Sequence, residues 1–321
     1  MSSRGSTASA RRCCSARTPP AIGGSCAARC RTDAAVRLVE IRRCPVKSMQ
    51  GELPAQAALG TMGLVGDRAY GLVDLETGAV ASAKDPRRWS SLLAVSARYP
   101  GEPGPTRPVT ITLPGGAEVS SADADVDERL SEVAGRRVAL RSTPPEGAAY
   151  DEVWPRVEGL APDELVASMQ TGETDDGEPV SRNAVGLFAA GTFQDLAPVT
   201  LLTTASLRTA KELHPAGDWD PARFRMTMLI DVDDDGFVEN GWVGRTVRVG
   251  PVRLSVFGPT PRCVMTTLAQ PGLPADREVL KTLARHNREE YAGIGRFACL
   301  GVYANVDTVG TVAVGDAVEV S

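Results

Sequence analysis

The stretch TVRVGPVRL, residues 246–254, alternates apolar and polar side chains on both sides of a Gly-Pro pair. This alternation is typical of two short β-strands, and the glycine between them predicts a tight turn. The segment TVAVGDAVEV, residues 311–320, repeats the arrangement. Together with strands expected over Met226–Val232 and Cys299–Val306, the two segments predict a barrel of short antiparallel strands.

Helices are few in the predicted second half. A buried strand over Pro198–Leu202 is followed by a helix that Thr203 or Thr204 caps. One further helix is expected over Ala275–Asn287, with apolar residues at helical spacing on one face. The barrel is therefore expected to carry only short helices.

The first half of the chain is also expected to be rich in strands. Val36–Ile41 and Pro108–Leu113 have strand-like apolar patterns. Arg68–Asp74 and Ala79–Ser82 flank a Glu-Thr-Gly turn and predict a hairpin. A short helix after Asp123 or Asp125 is expected to end at Gly135.

These patterns predict an α+β fold that is mostly β. An N-terminal β-rich domain, residues 35–168, is expected to pack on an antiparallel β-barrel domain, residues 182–321. Residues 169–181 are rich in Gly, Asp and Glu, and they predict a flexible linker or loop. Residues 1–34 are expected to be a disordered or non-native leader.

The leader differs from the rest of the chain in composition. Residues 1–32 hold six arginines, no acidic residue and four of the seven cysteines. Such a composition resembles a transit peptide, but a disordered tail or an upstream start of translation is the favoured explanation. The spacing of the four cysteines does not match that of a metal site.

Charge and cysteine usage narrow the possible partners. A formal net charge of −5 with both signs interspersed argues against nucleic acid and against an anionic membrane as partners. No apolar run is long enough to span a bilayer. Beyond the leader only Cys44, Cys263 and Cys299 remain, which predicts a reducing, cytoplasmic compartment.

Common catalytic motifs are missing from the sequence. The two histidines, His214 and His286, have no Cys, Asp or second His at ligand spacing, so a zinc site or a Ser-His-Asp triad is poorly supported. The acidic run of residues 231–236 lacks the glutamate that an EF-hand needs at its twelfth position. Neither a Walker loop nor a dinucleotide fingerprint occurs.

Cys263 lies within TPRCVMTTL, residues 260–268. The preceding Gly258–Pro261 run is expected to break the strand, which places the cysteine at a strand end, where functional loops collect. The neighbouring Arg262 is a cation that favours the thiolate form. From residue type alone, a small inert apolar side chain is the favoured interpretation.

Several short motifs occur in an order that resembles a known family. They are CPVKS (44–48), GLVGDR (63–68), FR (224–225), RCVMTT (262–267), GVY (301–303) and VGD (314–316). From about Val36 to Ser321 the chain resembles MOSC proteins of the mitochondrial amidoxime reducing component type. That resemblance includes the N-terminal MOSC β-rich domain.

The resemblance implies a molybdenum cofactor, Mo-molybdopterin, with the Cys263 thiolate as a ligand of the metal. A polarisable thiolate suits a metal that is already held by sulfur. The other matched cofactor-binding residues are Lys47, Ser48, Arg68, Asp195, Arg225 and Arg262, and Tyr303 is matched as a catalytic residue.

The activity that the resemblance implies is a two-electron reduction of N-hydroxylated compounds, with Tyr303 assisting proton delivery. The chain lacks the C-x4-C-x2-C cluster motif of some relatives, so a separate electron-transfer protein is expected: cytochrome b5-like, a ferredoxin or a flavoprotein. The family's Phe-Arg-Pro-Asn is Phe-Arg-Met-Thr here, residues 224–227, which removes an amide that could contact cofactor or substrate, so substrate preference does not follow from the resemblance.

Two other functions stay open from the sequence. In a cofactor-handling or sulfur-carrier protein, Cys263 would bear a persulfide instead of holding a metal. A binding module without catalysis is the third interpretation.

Overall fold

The computed structural model describes residues 36–104, 106–186 and 191–321 of the chain, so the predicted leader, residues 1–34, lies outside the described residues. The described part belongs to one compact unit, Ala34–Ser321. Its first nine strands are β1 (Arg37–Ile41), β2 (Gln56–Gly60), β3 (Gly63–Leu64), β4 (Gly71–Asp74), β5 (Ser96–Arg98), β6 (Thr110–Thr112), β7 (Glu118–Ser120), β8 (Val138–Arg141) and β9 (Ala149–Val153).

The remaining strands include the two longest ones, β15 and β17, which pair with each other in the middle of the largest sheet. They are β10 (Gln170–Glu173), β11 (Pro179–Ala184), β12 (Val199–Thr203), β13 (Met228–Asp231), β14 (Thr246–Val249), β15 (Val252–Pro261), β16 (Arg288–Glu290), β17 (Arg296–Thr308), β18 (Gly310–Ala313) and β19 (Val318–Val320).

The helices are short. The α-helices are α1 (Pro86–Trp89), α2 (Val126–Ala134), α3 (Asp163–Met169), α4 (Thr204–Leu213), α5 (Pro221–Phe224) and α6 (Glu278–His286), and 3-10 helices cover Ser90–Ala94, Val238–Trp242 and Val264–Thr267. Among the described residues, no helix has the length and apolar character needed to cross a membrane.

The largest sheet runs in the order β1, β13, β12, β17, β15, β14, β19, and β16 pairs with β17. A bridge between Arg37 and Ala317 joins its first strand to the residues before its last one, so the sheet is nearly closed into a barrel. The predicted α+β, mostly β fold with a barrel and few helices is confirmed. One detail differs, because β12 and β13 are parallel.

The two halves of the chain share sheets. Strand β1, from the N-terminal half, pairs with β13 of the barrel, and β18, near the C-terminus, pairs with β2. Smaller sheets made of β4–β8, of β5–β6–β7 and of β10–β11–β9 complete the structure. Side chains of both halves are thereby brought to one place.

Apolar side chains fill two main cores. Inside the barrel, Leu38, Leu201 and Val302 belong to a cluster of fully buried residues that alternate along the strands. In the N-terminal half, Leu72 and Leu130 belong to a second cluster. Burial of this apolar surface is the main contribution that stabilises the fold.

Several local predictions from the sequence are confirmed. The opening stretch forms the hairpin β14–β15, in which Val249 lies opposite Val252. The Thr203 hydroxyl accepts a hydrogen bond from the Ser206 N–H and caps α4, as Ser and Thr at this position usually do. Gly135 ends α2 in a left-handed conformation.

Two predictions about the barrel strands are wrong. Residues 311–320 do not form a hairpin: β18 pairs with β2, and β19 pairs with β14. The run Gly258–Pro261 does not break the strand, because β15 continues to Pro261. Register shifts between Val256 and Gly258 and between Pro259 and Pro261 accommodate the prolines, which lack an N–H for the ladder.

Two further segments differ from expectation. Residues 169–181, predicted as a linker or loop, contain β10 and the residues of β11 that pair with it, Pro179–Ser181, and the two strands form a hairpin. Residues 79–82 make a single bridge, Val73 to Val80, whereas the regular partner of β4 is β8. For β4 the partner strand is distant in sequence, so the local pattern does not identify it.

Candidate functional site

A cavity of about 540 Å³ lies where residues of both halves of the chain meet. This volume is within the range of small-molecule sites in proteins. All residues predicted to bind the cofactor or to take part in catalysis line it, and their roles stay predictions: Lys47, Ser48, Arg68, Asp195, Arg225, Arg262, Cys263 and Tyr303.

Backbone hydrogen bonds fix the two N-terminal segments of the site. The turn after β1 is held against the segment before β4, because the Lys47 N–H donates to the Tyr70 carbonyl at 2.8 Å and the Arg68 N–H donates to the Cys44 carbonyl at 2.7 Å. The Cys44 N–H in turn donates to Asp67 Oδ1 at 2.7 Å. The backbone at Lys47 and Arg68, from which these side chains extend into the cavity, is therefore held in a fixed position.

Three of the predicted cofactor-binding residues have a left-handed backbone. Among the described non-glycine residues only Ser48, Arg68, Arg225 and Ala292 have a positive φ, with values of 66°, 46°, 54° and 53°. The first three line the cavity. Such conformations are unfavourable by about 1 to 3 kcal/mol each and concentrate at functional sites.

The cavity is strongly cationic although the whole chain has a formal net charge of −5. Seven cationic side chains and two carboxylates line it. Such an excess of positive charge favours an anionic ligand. The cations are Lys47, Arg68, Lys84, Arg182, Arg223, Arg225 and Arg262, and the carboxylates are Glu152 and Asp195.

Asp195 lies between two of these cations. Its carboxylate forms an ion pair with Lys47, and its Oδ2 lies 3.6 Å from Lys84 Nζ. Burial alone would raise the pKa of Asp195, but attraction to Lys47 and Lys84 outweighs burial and holds the pKa well below its ordinary value. Asp195 thus stays ionised and positions both lysines.

The two arginines near Lys47 differ in their pairing. Arg68 forms an ion pair with the buried Asp67. Arg225 donates from Nη1 to the Met49 carbonyl at 2.5 Å. In the described part of the chain, Arg225 forms no ion pair with a carboxylate. Burial lowers the pKa of Arg225. A buried cation without a counter-charge is unfavourable, so this side chain is suited to an anionic group in the cavity.

Cys263 is a half-buried free thiol two residues after the end of β15. Desolvation by the surrounding protein raises the pKa of Cys263 and outweighs the opposing effect of Lys84 and Arg262. Arg262 therefore acts toward the thiolate as expected, but its effect is too small to offset desolvation, and the thiol form is favoured overall. The Arg262 guanidinium donates to the Leu300 carbonyl at 3.0 Å and to Met226 Sδ at 2.6 Å.

Tyr303 is also buried at the cavity wall, next to the ring of Tyr291, whose centroid lies 6.2 Å away in an edge-to-face arrangement. Burial raises the pKa of Tyr303, so the phenol keeps its proton at neutral pH. The hydroxyl is a hydrogen-bond donor at the wall of the cavity that Cys263 also lines.

Two polar atoms at the cavity are buried without a partner. Gln194 Oε1 and Thr260 Oγ1 make no hydrogen bond within the described residues, and both residues line the cavity. Buried polar groups are almost always hydrogen-bonded, so unpaired ones beside a cavity indicate a site for a polar ligand.

Sequence reasoning missed Lys84 and Glu152. Lys84 precedes Asp85 and Pro86, so it has the pattern of a polar helix start, and Glu152 lies in an ordinary strand. Both are nevertheless buried and line the cavity. No local signal in the sequence distinguishes them from surface charges.

Comparison with known families gave two matches. The model of the MOSC N-terminal beta barrel domain matches residues 35–150, and that of the MOSC domain matches residues 190–319. A search of curated proteins found no match. Among solved structures, the crystal structure of the YUAD protein from Bacillus subtilis is similar at 10% identity, over 89% of this chain and 95% of that one. Its TM-score of 0.40 is too low to support an argument.

The two family matches follow each other in the chain and together cover most of the described residues. MOSC domains are molybdenum-cofactor-binding domains. The protein whose cationic cavity and free thiol are described above belongs to the MOSC domain family.

Proposed function

We propose that the protein binds Mo-molybdopterin and is a molybdenum-dependent oxidoreductase that reduces N-hydroxylated compounds, such as hydroxylamines, amidoximes and N-hydroxylated bases. One observation carries the proposal. The residues matched to the family's cofactor set come from segments far apart in sequence, and all of them line one cavity.

The cavity suits the cofactor in charge and in donors. The terminal phosphate of the pterin would be held by Lys47, Arg68 and Arg225, because charge-assisted hydrogen bonds to phosphate are among the strongest that proteins make. The Ser48 hydroxyl accepts from the Ala83 N–H at 3.0 Å, which leaves its own hydrogen free to donate. Gln194 and Thr260 offer unpaired polar atoms to the pterin edges.

Cys263 would be the protein ligand of molybdenum. Its raised pKa keeps the thiol protonated in the free protein, so metal binding would release that proton. A thiolate is a soft ligand and suits a metal that already has sulfur ligands.

When bound, the molybdenum centre would supply the two-electron chemistry that removes oxygen from an N–OH group. Overall, the N–OH group, two electrons and two protons give N–H and water. Tyr303 keeps its proton at neutral pH and would donate a hydrogen bond to the departing oxygen. The electrons would come from a separate protein, cytochrome b5-like, a ferredoxin or a flavoprotein, in a reducing, cytoplasmic compartment.

The test is to produce the protein in a host that makes molybdenum cofactor, and to measure molybdenum and pterin per chain. We expect close to one of each in wild type and a large loss of molybdenum in Cys263→Ser. Cys299→Ser is the matched control, since Cys299 is fully buried away from the cavity and Ser can keep its hydrogen bond to the Phe297 carbonyl.

Activity completes the test. With an artificial electron donor the loaded protein should reduce a hydroxylamine, and this result would exclude a pure sulfur carrier. Wild type without molybdenum would contradict the proposal. A persulfide on Cys263 without bound metal would instead support the carrier function.

A further inference from the structure

Part of the cavity wall is apolar and has no role in the proposed cofactor site. Three of its side chains belong to residues 151–189, which lie outside both family-matched ranges, and two come from the segment around the start of β17. The five side chains that form this apolar wall are Trp154, Leu165, Met169, Ile294 and Phe297.

The two segments of the apolar wall pack against each other. Trp154 and Leu165 both contact a buried apolar cluster that contains Phe297. A Cβ added at Gly295 would lie 2.5 Å from Pro162 Cγ, so the turn before β17 touches the residue that precedes α3. These contacts bring side chains that are distant in sequence to one part of the cavity.

The apolar wall is only partly covered by other protein groups. Leu165 and Met169 are four residues apart on α3 and therefore share one face of that helix, yet every residue of α3 is half-buried or exposed. The Ile294 side chain is 49% exposed. Clustered apolar side chains that stay exposed mark binding surfaces. The wall therefore offers apolar contact to a ligand in the cavity.

The apolar wall adjoins the groups that the proposed reaction uses. The ring of Tyr291 lies edge to face with that of Phe297, with centroids 6.0 Å apart, and with that of Tyr303, with centroids 6.2 Å apart. The Arg262 N–H donates to the Ala298 carbonyl at 2.8 Å, so the residue before the proposed metal ligand is bonded to the residue after Phe297. A ligand seated on the wall would therefore have its reacting group near both the thiol and the phenol.

We propose that the apolar wall is a binding site for an aromatic ring that the substrate carries close to its N–OH group. The substrate class is then N-hydroxylated compounds with an aryl or arylalkyl substituent. This inference rests on the proposed function. It assigns substrate selection to Leu165 and Ile294, which come from different segments of the wall.

Polarity decides between the cofactor and the substrate as the occupant of the apolar wall. The cofactor's phosphate and the polar edges of its pterin need hydrogen-bond partners, and apolar side chains would leave these groups unpaired. The cations and unpaired polar atoms elsewhere in the cavity suit the cofactor instead. A substrate ring gains from burial of its apolar surface and from contact with the rings of Trp154 and Phe297.

The experiment compares N-benzylhydroxylamine with N-methylhydroxylamine. They are a matched pair, because a phenyl group in the first replaces one methyl hydrogen of the second, and the N–OH group is the same. Equilibrium binding of both is measured by calorimetry to the molybdenum-loaded, oxidised protein without an electron donor. We expect wild type to bind N-benzylhydroxylamine at least about tenfold more tightly than N-methylhydroxylamine.

Two variants test the two segments of the wall. Leu165→Ala should weaken binding of N-benzylhydroxylamine about fivefold, because it removes apolar contact area, and should leave binding of N-methylhydroxylamine unchanged. Ile294→Ala should have the same selective effect. Leu165 is half-buried and Ile294 is exposed, so both substitutions should leave the fold intact.

Val166→Ala is the matched control. Val166 is the next residue on α3 and packs against the same buried cluster as Leu165, but it lines a second cavity of about 270 Å³ instead of the larger one. Both affinities should equal those of wild type. If Val166→Ala weakened binding of N-benzylhydroxylamine as much as Leu165→Ala, loosening of α3 would explain the loss and the inference would be overturned.

Equal binding of the two hydroxylamines by wild type would overturn the inference, as would a wild-type ratio of affinities in Leu165→Ala or Ile294→Ala. Molybdenum and pterin contents are measured on the same samples. A loss of pterin in either variant would show that the cofactor occupies the apolar wall, and would also overturn the inference. A wild-type chain without molybdenum would overturn the proposed function together with this inference, whereas a loaded chain without the preference would overturn this inference alone.

Discussion

The ring of Tyr303 stacks on that of Phe257, with centroids 5.8 Å apart and planes inclined by 22°. Because the ring is held from this side and from that of Tyr291, the phenol oxygen is fixed at the cavity wall. Tyr303→Phe keeps the stacking and removes only the hydroxyl. We expect kcat for a hydroxylamine to fall about 100-fold, the usual scale for a lost proton donor.

The measurement is steady-state kinetics with molybdenum and pterin contents determined in parallel, and these contents should not change. Tyr291→Phe is the matched control, since it removes a neighbouring hydroxyl from the same aromatic cluster. An unchanged kcat in Tyr303→Phe would refute the proton-donor assignment.

Arg225→Met should separate cofactor retention from stability. Loss of the guanidinium removes a phosphate ligand, so pterin per chain should fall at least about tenfold. The cofactor-free protein should change by no more than about 1 kcal/mol in unfolding free energy, because losing the bond to Met49 is offset by removing a buried unpaired cation. Pterin analysis measures the pterin content per chain, and urea denaturation measures the unfolding free energy. Arg248→Met, at an exposed residue paired with Glu319, should leave both unchanged.

The thiol of Cys263 should react slowly with iodoacetamide in cofactor-free protein. Its pKa lies above the ordinary value, so only a small fraction is thiolate at pH 7, and the rate should keep rising as the pH passes 9. Lys84→Met removes the cation that most lowers this pKa and should slow labelling further at pH 8. Mass spectrometry identifies the labelled residue. Cys44 and Cys299, both buried, should stay unlabelled in the folded protein.

Gly301→Ala should destabilise the fold by about 3 kcal/mol, through overpacking together with left-handed strain. Gly301 has a φ of +83°, and an added Cβ would lie 2.3 Å from Met226 Cε and 2.6 Å from the Leu201 carbonyl oxygen. Gly315→Ala is the control, because Gly315 also has a positive φ but no atom within 4 Å of the added Cβ. It should lose only about 1 to 2 kcal/mol. Similar losses for both, by urea denaturation, would show that the close contact is unimportant.

Local patterns predicted the elements well where the determinants are local. The hairpin around Gly250, the Thr203 cap and the left-handed Gly135 each depend on neighbouring residues. The partner of β18 depends on β2, whose residues lie about 250 positions earlier. Period-two alternation indicates a strand but does not indicate which strand it pairs with. For that reason the prediction of a hairpin over residues 311–320 was wrong.

For the site as well, the sequence predicted what short motifs determine and missed what depends on the tertiary fold. Cys263 and Arg225 were found because short motifs in a fixed order resemble a family, and the structure brings these residues to one cavity. Lys84 and Glu152 carry no such motif, and only the tertiary fold reveals that they are buried. The net ionisation of Cys263 was misjudged because the sequence shows the neighbouring cation Arg262 but not the desolvation, which depends on the whole surroundings and outweighs the effect of Arg262.

The cavity wall is assembled from both family-matched segments, with Lys47, Ser48, Arg68 and Lys84 from one and Asp195, Arg225, Cys263 and Tyr303 from the other. A chain truncated to either segment would therefore form only part of the cavity wall. The C-terminal half would keep Cys263, the proposed metal ligand, without Lys47 and Arg68, and the N-terminal half would keep those two cations without a cysteine that lines the cavity. Joining the halves in one polypeptide ensures that every folded molecule carries both in equal number.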